Sequence, residues 1–238
     1  MERALSDYRN YTNSPWGRLY YRIVLAQLGT VCEKRILDFG SGFGITADAL
    51  AASCDVTAVE PNEAMTGIAS RHNRYRVITG GADVLSSLPD GAFDVILCHN
   101  VLEYIPDRAP VLREFGRLLS PGGFVSVIKH NHAGKVMQTA VFGNDAAAAA
   151  ALLDGDRAES NCFGTIGVYD DGDLEKWANG TFRIADRMGI RIFFGLQPNE
   201  VKTSPGWADG AFALEMKACR LSPYYDAAYY HHLILKKD

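Results

Sequence analysis

The segment from Ile36 to Gly44 constrains the fold of this chain more than any other part of the sequence. It reads Ile-Leu-Asp-Phe-Gly-Ser-Gly-Phe-Gly, so an apolar run passes directly into three glycines at alternate positions. A short apolar run is typical of a buried parallel strand, and glycines at its carboxyl end allow a tight turn that a ligand can approach closely. Residues 45–51 have helical composition, so the amides at a helix start would face that ligand. Together these parts predict a nucleotide-type pocket.

Helical and strand patterns alternate along the chain, which predicts a parallel α/β sheet with crossovers of ordinary length. The predicted strands are 35–39, 55–60, 76–79, 93–98, 123–129, 190–194 and 229–236. The predicted helices are 17–29, 45–53, one opened by Pro61 and Asn62, 83–88, 107–119, one near 172–188, and 208–220. We expect one domain over 1–238, with a helical cap at about 1–30 and a helical and loop insertion at about 131–171 that includes the alanine run 146–151.

Composition and charge limit the classes of protein that this chain can represent. With 238 residues, 47% of them hydrophobic, the chain can bury one full core. The net charge of −4 disfavours strong non-specific binding to nucleic acid but leaves a local basic patch open. No apolar run approaches the ~20 residues of a membrane span, and the first residues lack a signal-peptide core, so we expect a cytoplasmic protein.

The cysteines predict neither a metal centre nor a redox pair. They are odd in number and widely spaced, without a C-x-x-C pair, at Cys32, Cys54, Cys98, Cys162 and Cys219. We therefore expect reduced thiols.

The spacing of the glycines separates two kinds of ligand. A dinucleotide turn follows G-x-G-x-x-G, whereas this chain reads D-x-G-x-G-x-G, with Ile45 where the third dinucleotide glycine would fall. In this form the segment resembles the first motif of class I S-adenosylmethionine-dependent methyltransferases, although glycine-rich strand ends also occur in other α/β proteins. The resemblance implies that the loop of Gly40, Ser41 and Gly42 carries the methionyl part of S-adenosylmethionine, with Asp38 near its ammonium group.

The same resemblance implies a fold and a product. The fold is α/β, a doubly wound, Rossmann-like sheet of seven strands, mostly parallel, with a reversed carboxyl-terminal strand. After methyl transfer, the cofactor would leave as S-adenosyl-L-homocysteine.

One acid, Glu60, ends the second predicted strand and another, Asp83, follows the third, where the resemblance places the ribose and the adenine. The carboxylate of Glu60 could accept hydrogens from both ribose hydroxyls. An acid before Pro61 could instead cap a helix, and an acid at this place also serves nicotinamide cofactors. The resemblance implies that adenine meets backbone near Ala82 and the carboxylate of Asp83, although Asp83 fits a helix cap equally well. Met65 could pack on the adenine face or belong to the core.

The residues that leave the fourth predicted strand carry a more specific resemblance. Cys98 to Tyr104 reads Cys-His-Asn-Val-Leu-Glu-Tyr, and Ile105 follows, in agreement with the class I pattern H-x-V-L-E-[YW]-[IV]. The resemblance implies that these residues line the space beside the reactive methyl group. His99 is therefore our candidate for contact with cofactor or substrate and for a catalytic base. A lone histidine is also commonly a hydrogen-bonded structural residue.

Further segments resemble the family of the bacterial tRNA 5-carboxymethoxyuridine methyltransferase. They are residues 131–137 with 141–144, residues 17–19 and residues 222–224. This likeness covers most of the chain and implies esterification of a carboxylate on a modified wobble uridine. Tyr20 and Tyr229 stand where the family's arginines are expected, and a tyrosine cannot grip a carboxylate with two charged donors. The acceptor is thus open between a small molecule and tRNA.

Three classes of function remain open at this point. They are a methyltransferase that acts by in-line displacement, most simply on oxygen, a dehydrogenase-like nucleotide enzyme, and a non-catalytic cofactor-binding module. Methyl transfer from a sulfonium depends mainly on orientation, so we expect no catalytic metal. His231 and His232, adjacent in a predicted strand, would point to opposite faces and share no metal. The sequence predicts no membrane partner and no particular number of subunits.

Overall fold

The computed structural model describes residues 2–68, 71–156, 159–160, 164–165 and 167–237, and Cys162 and part of the predicted insertion lie outside them. The strands in these residues are β1 (Arg35–Phe39), β2 (Asp55–Glu60), β3 (Arg76–Thr79), β4 (Phe93–His99), β5 (Leu119–His130), β6 (Glu159–Ser160), β7 (Gly164–Thr165), β8 (Phe182–Ile190) and β9 (Tyr230–Lys237).

The helices alternate with these strands over most of the chain. They are α1 (Glu2–Asn13), α2 (Pro15–Leu28), α3 (Ile45–Leu50), α4 (Glu63–Ile68), α5 (Ala109–Leu118), α6 (His132–Val141), α7 (Ala146–Leu153), α8 (Asp171–Ala178) and α9 (Trp207–Ala218). Short 3₁₀ helices span Ala82–Ser87, Leu102–Tyr104 and Asn199–Thr203.

Seven strands form one sheet in the order β3-β2-β1-β4-β5-β9-β8. The pairs β1/β2, β1/β4, β2/β3 and β4/β5 are parallel, and β9 is the reversed strand. The strand order reverses between β1 and β4, and in open α/β sheets ligands bind at the carboxyl ends of the strands at such a point. The predicted fold class is therefore confirmed, and the glycine segment lies at this switch point.

The predicted helix near 172–188 is present only in its first part, and the predicted strand 190–194 is wrong. Helix α8 ends at Ala178, because the next residue, Asn179, has a left-handed φ of 45°, and β8 follows it. The apolar residues after Ile190 form a loop, because the backbone turns at Arg191 with a φ of 60°. The backbone N–H groups of Ile192, Phe193 and Phe194 donate to the carboxylate of Glu215 and not to a sheet partner.

Other differences concern the ends and types of helices. The predicted helix 17–29 is the second of two, since α1 precedes α2. The predicted helix 83–88 is a 3₁₀ helix, and strand β5 begins four residues before its predicted start at 123. Element ends depend on caps and contacts that periodicity does not encode.

The described chain divides into two compact units. The first unit comprises 1–27, 129–168 and 187–232, and the second unit comprises 28–128, 169–186 and 233–238. The prediction of a single domain with a cap and an insertion stays a prediction.

The second unit has a core built from the inner strands and from the helices that cover them. Its members are buried apolar side chains that include Leu37, Phe39, Val59, Leu85, Ile96, Leu112, Phe115, Val127, Leu174, Phe182 and Leu233. The rings of Phe39 and Phe115 meet edge to face, with centroids 5.5 Å apart. This core supports the carboxyl end of β1, where the glycine segment begins.

The core of the first unit includes one face of α2, the end of β8 and the loop that follows β8. The buried apolar side chains include Leu19, Ile23, Val24, Met188, Ile190, Ile192, Phe194 and Cys219. Buried His232 has its Nδ1 2.8 Å from Oε1 of Gln27, and burial lowers the pKa of His232 to about 3. His231 instead has its Nδ1 3.0 Å from the hydroxyl of Tyr225. Within the described residues, none of the helices is long and apolar enough to span a bilayer.

Candidate functional site

A turn of three left-handed glycines follows β1 and leads into α3. Gly40, Gly42 and Gly44 have φ values of 75°, 57° and 69°, which L-amino acids with a Cβ rarely adopt. A Cβ at Gly40 would overlap the side chain of Val101, so space as well as backbone angle requires glycine there. The N–H of Gly40 donates to the carbonyl oxygen of Val59 at 2.8 Å, which holds the turn against β2. The result is a left-handed turn at the switch point in which Gly40, Ser41 and Gly42 are partly exposed.

Asp38 lies beneath this turn as a buried carboxylate. The residue is 4% exposed, and its Oδ2 atom is buried without a hydrogen-bond partner in the described residues. Burial and the nearby charge of Glu60 raise the pKa of Asp38 to about 7, although a backbone hydrogen bond from Ala47 acts in the opposite direction. A buried carboxylate with a vacant lone pair is a partner suited to a cationic group such as an ammonium.

Glu60 links the end of β2 to the glycine turn. Its Oε2 accepts the N–H of Gly42 at 2.8 Å, and its Oε1 accepts the N–H of Asn62 at 2.9 Å. The side chain is held in one orientation, and the residue is 6% exposed. Each carboxylate oxygen can accept a second hydrogen bond. Glu60 therefore supports the turn and retains acceptors for a pair of hydroxyl groups.

The residues predicted to meet the adenine lie at the start of the 3₁₀ helix after β3. Ala82 and Asp83 are exposed, and the Oδ1 of Asp83 accepts the N–H of Gly81 at 2.9 Å. Met65 is 4% exposed, and a Cβ at Gly42 would lie 3.2 Å from its Cε. Met65 thus packs beneath the glycine turn.

His99 is the last residue of β4, which lies beside β1 and is parallel to it, so His99 and the glycine turn are at the same carboxyl edge of the sheet. The residue is half-buried, and its Nε2 lies 2.8 Å from the hydroxyl of Ser126 on β5. Directly after it the backbone turns at Asn100, which has a φ of 56°, and its N–H donates to the carbonyl of Ile128 at 2.7 Å. Val101 then covers the glycine turn at Gly40. The segment 98–104 therefore packs on the glycine turn through Val101.

Tyr75 is not among the predicted site residues, yet its side chain covers the Gly44 end of the turn. A Cβ at Gly44 would overlap the Tyr75 hydroxyl. Burial raises the pKa of Tyr75, and the Arg71 guanidinium lies 5.3 Å from the ring centroid. Asp48 braces the segment before Tyr75, because its Oδ1 accepts the N–H of Asn73 at 2.8 Å. The one available signal was an aromatic residue directly before a predicted strand.

Comparison with known proteins agrees with this geometry. Residues 37–127 match the family described as a methyltransferase domain. This segment is similar to a methyltransferase domain. It contains the glycine turn, both buried carboxylates and the His99 motif, and domains of this family use S-adenosylmethionine.

The chain is also similar to curated proteins. A ubiquinone biosynthesis O-methyltransferase of Pseudomonas aeruginosa is 38% identical over 108 residues, which are 41% of this chain and 46% of that protein. The chain thus spans about half the length of the curated relatives it matches.

Solved structures share the fold at low sequence identity. A Thermotoga maritima protein described as a possible histamine N-methyltransferase has a TM-score of 0.66 at 17% identity, covering 100% of this chain and 97% of that one. An S-adenosylmethionine-dependent methyltransferase of Mesorhizobium loti has a TM-score of 0.63 at 15% identity, covering 94% and 100%. At these identities the likeness shows a class I methyltransferase fold.

Residues 37–127 fit S-adenosylmethionine in three respects. The backbone of the glycine turn is partly exposed at Gly40, Ser41 and Gly42, so a ligand can approach it closely. The buried Oδ2 of Asp38 has a free acceptor for an ammonium group. Glu60 presents a fixed carboxylate at the end of β2, which suits two adjacent hydroxyl groups.

Proposed function

We propose that this protein transfers a methyl group from S-adenosylmethionine to an oxygen atom of a small-molecule acceptor. The observation that carries the proposal is the left-handed glycine turn that directly follows Asp38, whose Oδ2 is buried and without a partner in the described residues, within a segment that matches a methyltransferase domain. A pyrophosphate would meet the same buried carboxylate as a repelling charge, so the site favours a cationic ligand over a dinucleotide.

The residues of the chain have separate tasks in this proposal. Bound S-adenosylmethionine supplies a methyl group on a positively charged sulfur, which is a good leaving group. Asp38 holds the ammonium, Glu60 holds the ribose hydroxyls, and Ala82 and Asp83 border the adenine. These contacts hold the methyl group in one orientation, and alignment with the attacking oxygen can supply ~7–11 kcal/mol in well-oriented systems.

The choice of oxygen as the acceptor atom is supported by the name of the Pseudomonas aeruginosa relative, an O-methyltransferase. A carboxylate acceptor is ionised at neutral pH and needs no base. A hydroxyl acceptor loses a proton during transfer, and His99 is the side chain of the motif that could take it. The bond between His99 and Ser126 would orient the imidazole for that task.

The tRNA alternative depends on the resemblance of the segments around 131–144 and 222–224 alone. The net charge of −4 and the tyrosines at 20 and 229 count against a strongly bound polyanion. We therefore place the small-molecule acceptor first and treat tRNA as an outcome of the test.

The test is transfer of a labelled methyl group from S-adenosylmethionine into fractionated cell extract. We expect label in a small organic acid or hydroxyl compound and none in RNA. Label in a wobble-uridine ester would establish the tRNA alternative instead. If the protein binds S-adenosylmethionine but labels no fraction, the non-catalytic module is the correct interpretation.

A variant of Glu60 tests the cofactor site itself. Glu60→Gln removes the charge and one acceptor, so we expect at least a tenfold loss of affinity for S-adenosylmethionine by calorimetry. Glu33→Gln is the matched control, because Glu33 is exposed in the same unit. Equal affinities of the two variants would show that Glu60 does not hold the cofactor.

A further inference from the structure

Tyrosines from α1, from α2 and from the start of β9 form one tyrosine cluster in the first unit. Its members are Tyr8, Tyr11, Tyr20, Tyr21, Tyr229 and Tyr230. Aromatic pairs with centroids 4.5–7 Å apart attract each other, and a tyrosine adds a hydroxyl group that usually finds a partner when it is buried. The contacts within the cluster, and the state of its hydroxyl groups, indicate what it can bind.

The tyrosines of α1 and α2 meet through rings and hydroxyl groups. The ring centroids of Tyr8 and Tyr11 are 6.5 Å apart, and the rings are stacked. The hydroxyl of Tyr8 lies 3.4 Å from that of Tyr21. The ring of Tyr21 meets that of Tyr20 edge to face, with centroids 5.1 Å apart. These contacts join the two helices on the side of the tyrosine cluster.

The start of β9 and the loop after β8 complete the tyrosine cluster. The ring centroid of Tyr230 lies 5.6 Å from that of Tyr20 and 4.7 Å from that of Tyr229. The centre of the Arg191 guanidinium lies 5.8 Å from the centroid of Tyr230 and 6.0 Å from that of Tyr11. The contacts thus lead from α1 through α2 and β9 and back to α1.

The charge of Arg191 is compensated beside its own loop. Glu215 is fully buried on α9, and its carboxylate accepts the N–H groups of the three residues after Arg191 at 2.8–3.2 Å. Burial raises the pKa of Glu215, while these N–H groups and the charge of Arg191 act in the opposite direction. A further anion would therefore add an unbalanced charge beside the rings, and a ligand of the tyrosine cluster should be uncharged.

The tyrosine cluster lies at strand ends of the kind where α/β proteins bind ligands. Strand β5 is parallel to β4, and His130 is its last residue. Tyr230 is the first residue of the reversed strand β9, and its ring centroid lies 4.9 Å from that of His130. This contact is therefore at the carboxyl ends of the parallel strands, outside which open α/β sheets bind their ligands.

The hydroxyl group of Tyr11 is buried without a hydrogen-bond partner in the described residues. Tyr11 as a whole is half-buried, as are Tyr8, Tyr21 and Tyr230, so solvent reaches part of these rings. Burial raises the pKa values of Tyr21 and Tyr230 well above that of a free tyrosine, so their hydroxyl groups stay protonated at neutral pH. A buried hydroxyl without a partner is costly, and the hydroxyl of a ligand can both donate to it and accept from it.

We propose that the tyrosine cluster binds an uncharged aromatic ring that carries a hydroxyl group, a phenol, as the acceptor of the methyl group. The ring of the ligand packs against the tyrosine rings, and its hydroxyl bonds to that of Tyr11. As a statement about the acceptor, this inference rests on the proposed function, whereas the binding itself needs no S-adenosylmethionine. In the transfer, the phenol oxygen forms a bond to the methyl carbon, the carbon–sulfur bond breaks with its electron pair on sulfur, and the hydroxyl proton passes to a base or to water.

The first experiment measures binding of small probes to the full chain without S-adenosylmethionine, by calorimetry. The probes are phenol, anisole, cyclohexanol and benzoate. Anisole lacks the hydroxyl hydrogen, cyclohexanol lacks the aromatic ring, and benzoate carries a charge. We expect phenol to bind at least about tenfold more tightly than the other three. Equal binding of anisole or cyclohexanol, or tighter binding of benzoate, overturns the proposal.

A conservative variant locates the site. Tyr11→Phe removes the buried hydroxyl and keeps the ring, so it should weaken phenol binding about tenfold and abolish the preference for phenol over anisole. Tyr224→Phe is the matched control, because Tyr224 is an exposed tyrosine of the same unit outside the tyrosine cluster. Equal losses in the two variants, or an unchanged preference for phenol in Tyr11→Phe, overturn the proposal.

A readout on the native chain avoids dependence on how a variant folds. In a chain with ¹³C-labelled tyrosine, the ring signal that is lost in Tyr11→Phe should shift when phenol is added. If no tyrosine ring signal moves at saturating phenol, the tyrosine cluster is ordinary core packing and the proposal is wrong.

A transfer assay separates this inference from the proposed function. With S-adenosylmethionine that carries a labelled methyl group, label should appear on the phenol oxygen. Phenol that binds but is not labelled, while another compound in cell extract is, overturns the acceptor role and leaves the proposed methyl transfer intact. A chain that binds phenol but does not bind S-adenosylmethionine contradicts the proposed function instead, and the acceptor role fails with it.

Discussion

At the scale of single residues, Asp38 is a carboxylate in surroundings that oppose its charge. Its pKa in the fold is about 7, above the 3.8 of an unperturbed aspartate, so the folded state retains a proton that the unfolded state has lost. The stability this provides is fully present below pH 3.8 and is lost as the pH rises through 7. Above pH 7 the ligand-free protein therefore contains a destabilising buried charge.

Asp38→Asn removes that charge and should stabilise the ligand-free protein at alkaline pH. Since each pKa unit is worth about 1.4 kcal/mol, the gain over wild type should reach about 4 kcal/mol at pH 8 and be much smaller at pH 5. Affinity for S-adenosylmethionine should fall, because the ammonium loses its partner. Denaturant unfolding at the two pH values measures the first effect and calorimetry the second.

Asp107→Asn is the control, because Asp107 is exposed in the same unit. If Asp38→Asn changes stability equally at pH 5 and pH 8, then Asp38 is not a buried titrating group.

The individual site residues differ in how far sequence could predict them. Asp38 and Glu60 follow from position, because each lies at the carboxyl end of a strand that the sequence shows clearly. The surroundings of Arg191 could not be predicted, since it lies in an apolar run that is typical of a strand. The rings of Tyr11 and Tyr229 near its guanidinium come from segments distant in the chain.

At the scale of elements, the glycine turn is the part whose conformation sequence predicted best. Gly40→Ala should destabilise the second unit by about 2–4 kcal/mol and abolish cofactor binding, because the new Cβ needs a left-handed backbone and overlaps Val101. Gly122→Ala is the matched control, with a φ of 78° and nothing within 4 Å of the added Cβ. It should cost only about 1–2 kcal/mol for the backbone angle.

Thermal unfolding and cofactor titration of the two glycine variants provide the measurement. Equal losses of stability, or normal cofactor affinity in Gly40→Ala, would show that the space at Gly40 is not needed.

The wrong elements share a physical cause. An apolar, β-branched run after Ile190 favours a strand, but the carboxylate of Glu215 takes the N–H groups that a sheet partner would need. Similarly, the helical pattern after 172 ends at Asn179, because that residue adopts a left-handed conformation that terminates α8. Both events are decided by side-chain hydrogen bonds and local backbone angles that hydrophobic periodicity does not report.

At the scale of the whole molecule, cofactor binding should be visible as thermal stabilisation. A ligand present at 100 times its dissociation constant stabilises the native state by about 2.7 kcal/mol. For a chain of this length that corresponds to a rise in melting temperature of roughly 5–10 °C. We expect this rise with S-adenosylmethionine or its demethylated product and none with NADH. Stabilisation by NADH alone would favour a nicotinamide enzyme instead.

The sequence by itself determined the α/β class, the glycine turn and the acids at the ends of the first two strands. These features are local, because a buried strand, its glycines and the acid at its end are contiguous residues whose backbone preferences act over a few positions. Only the tertiary structure decided that Glu60 fastens the turn, that Tyr75 covers it, and that the guanidinium of Arg191 lies among tyrosine rings. Those relations join residues far apart in the chain, and burial, which changes the pKa values of Asp38 and Lys202, exists only once the core has formed.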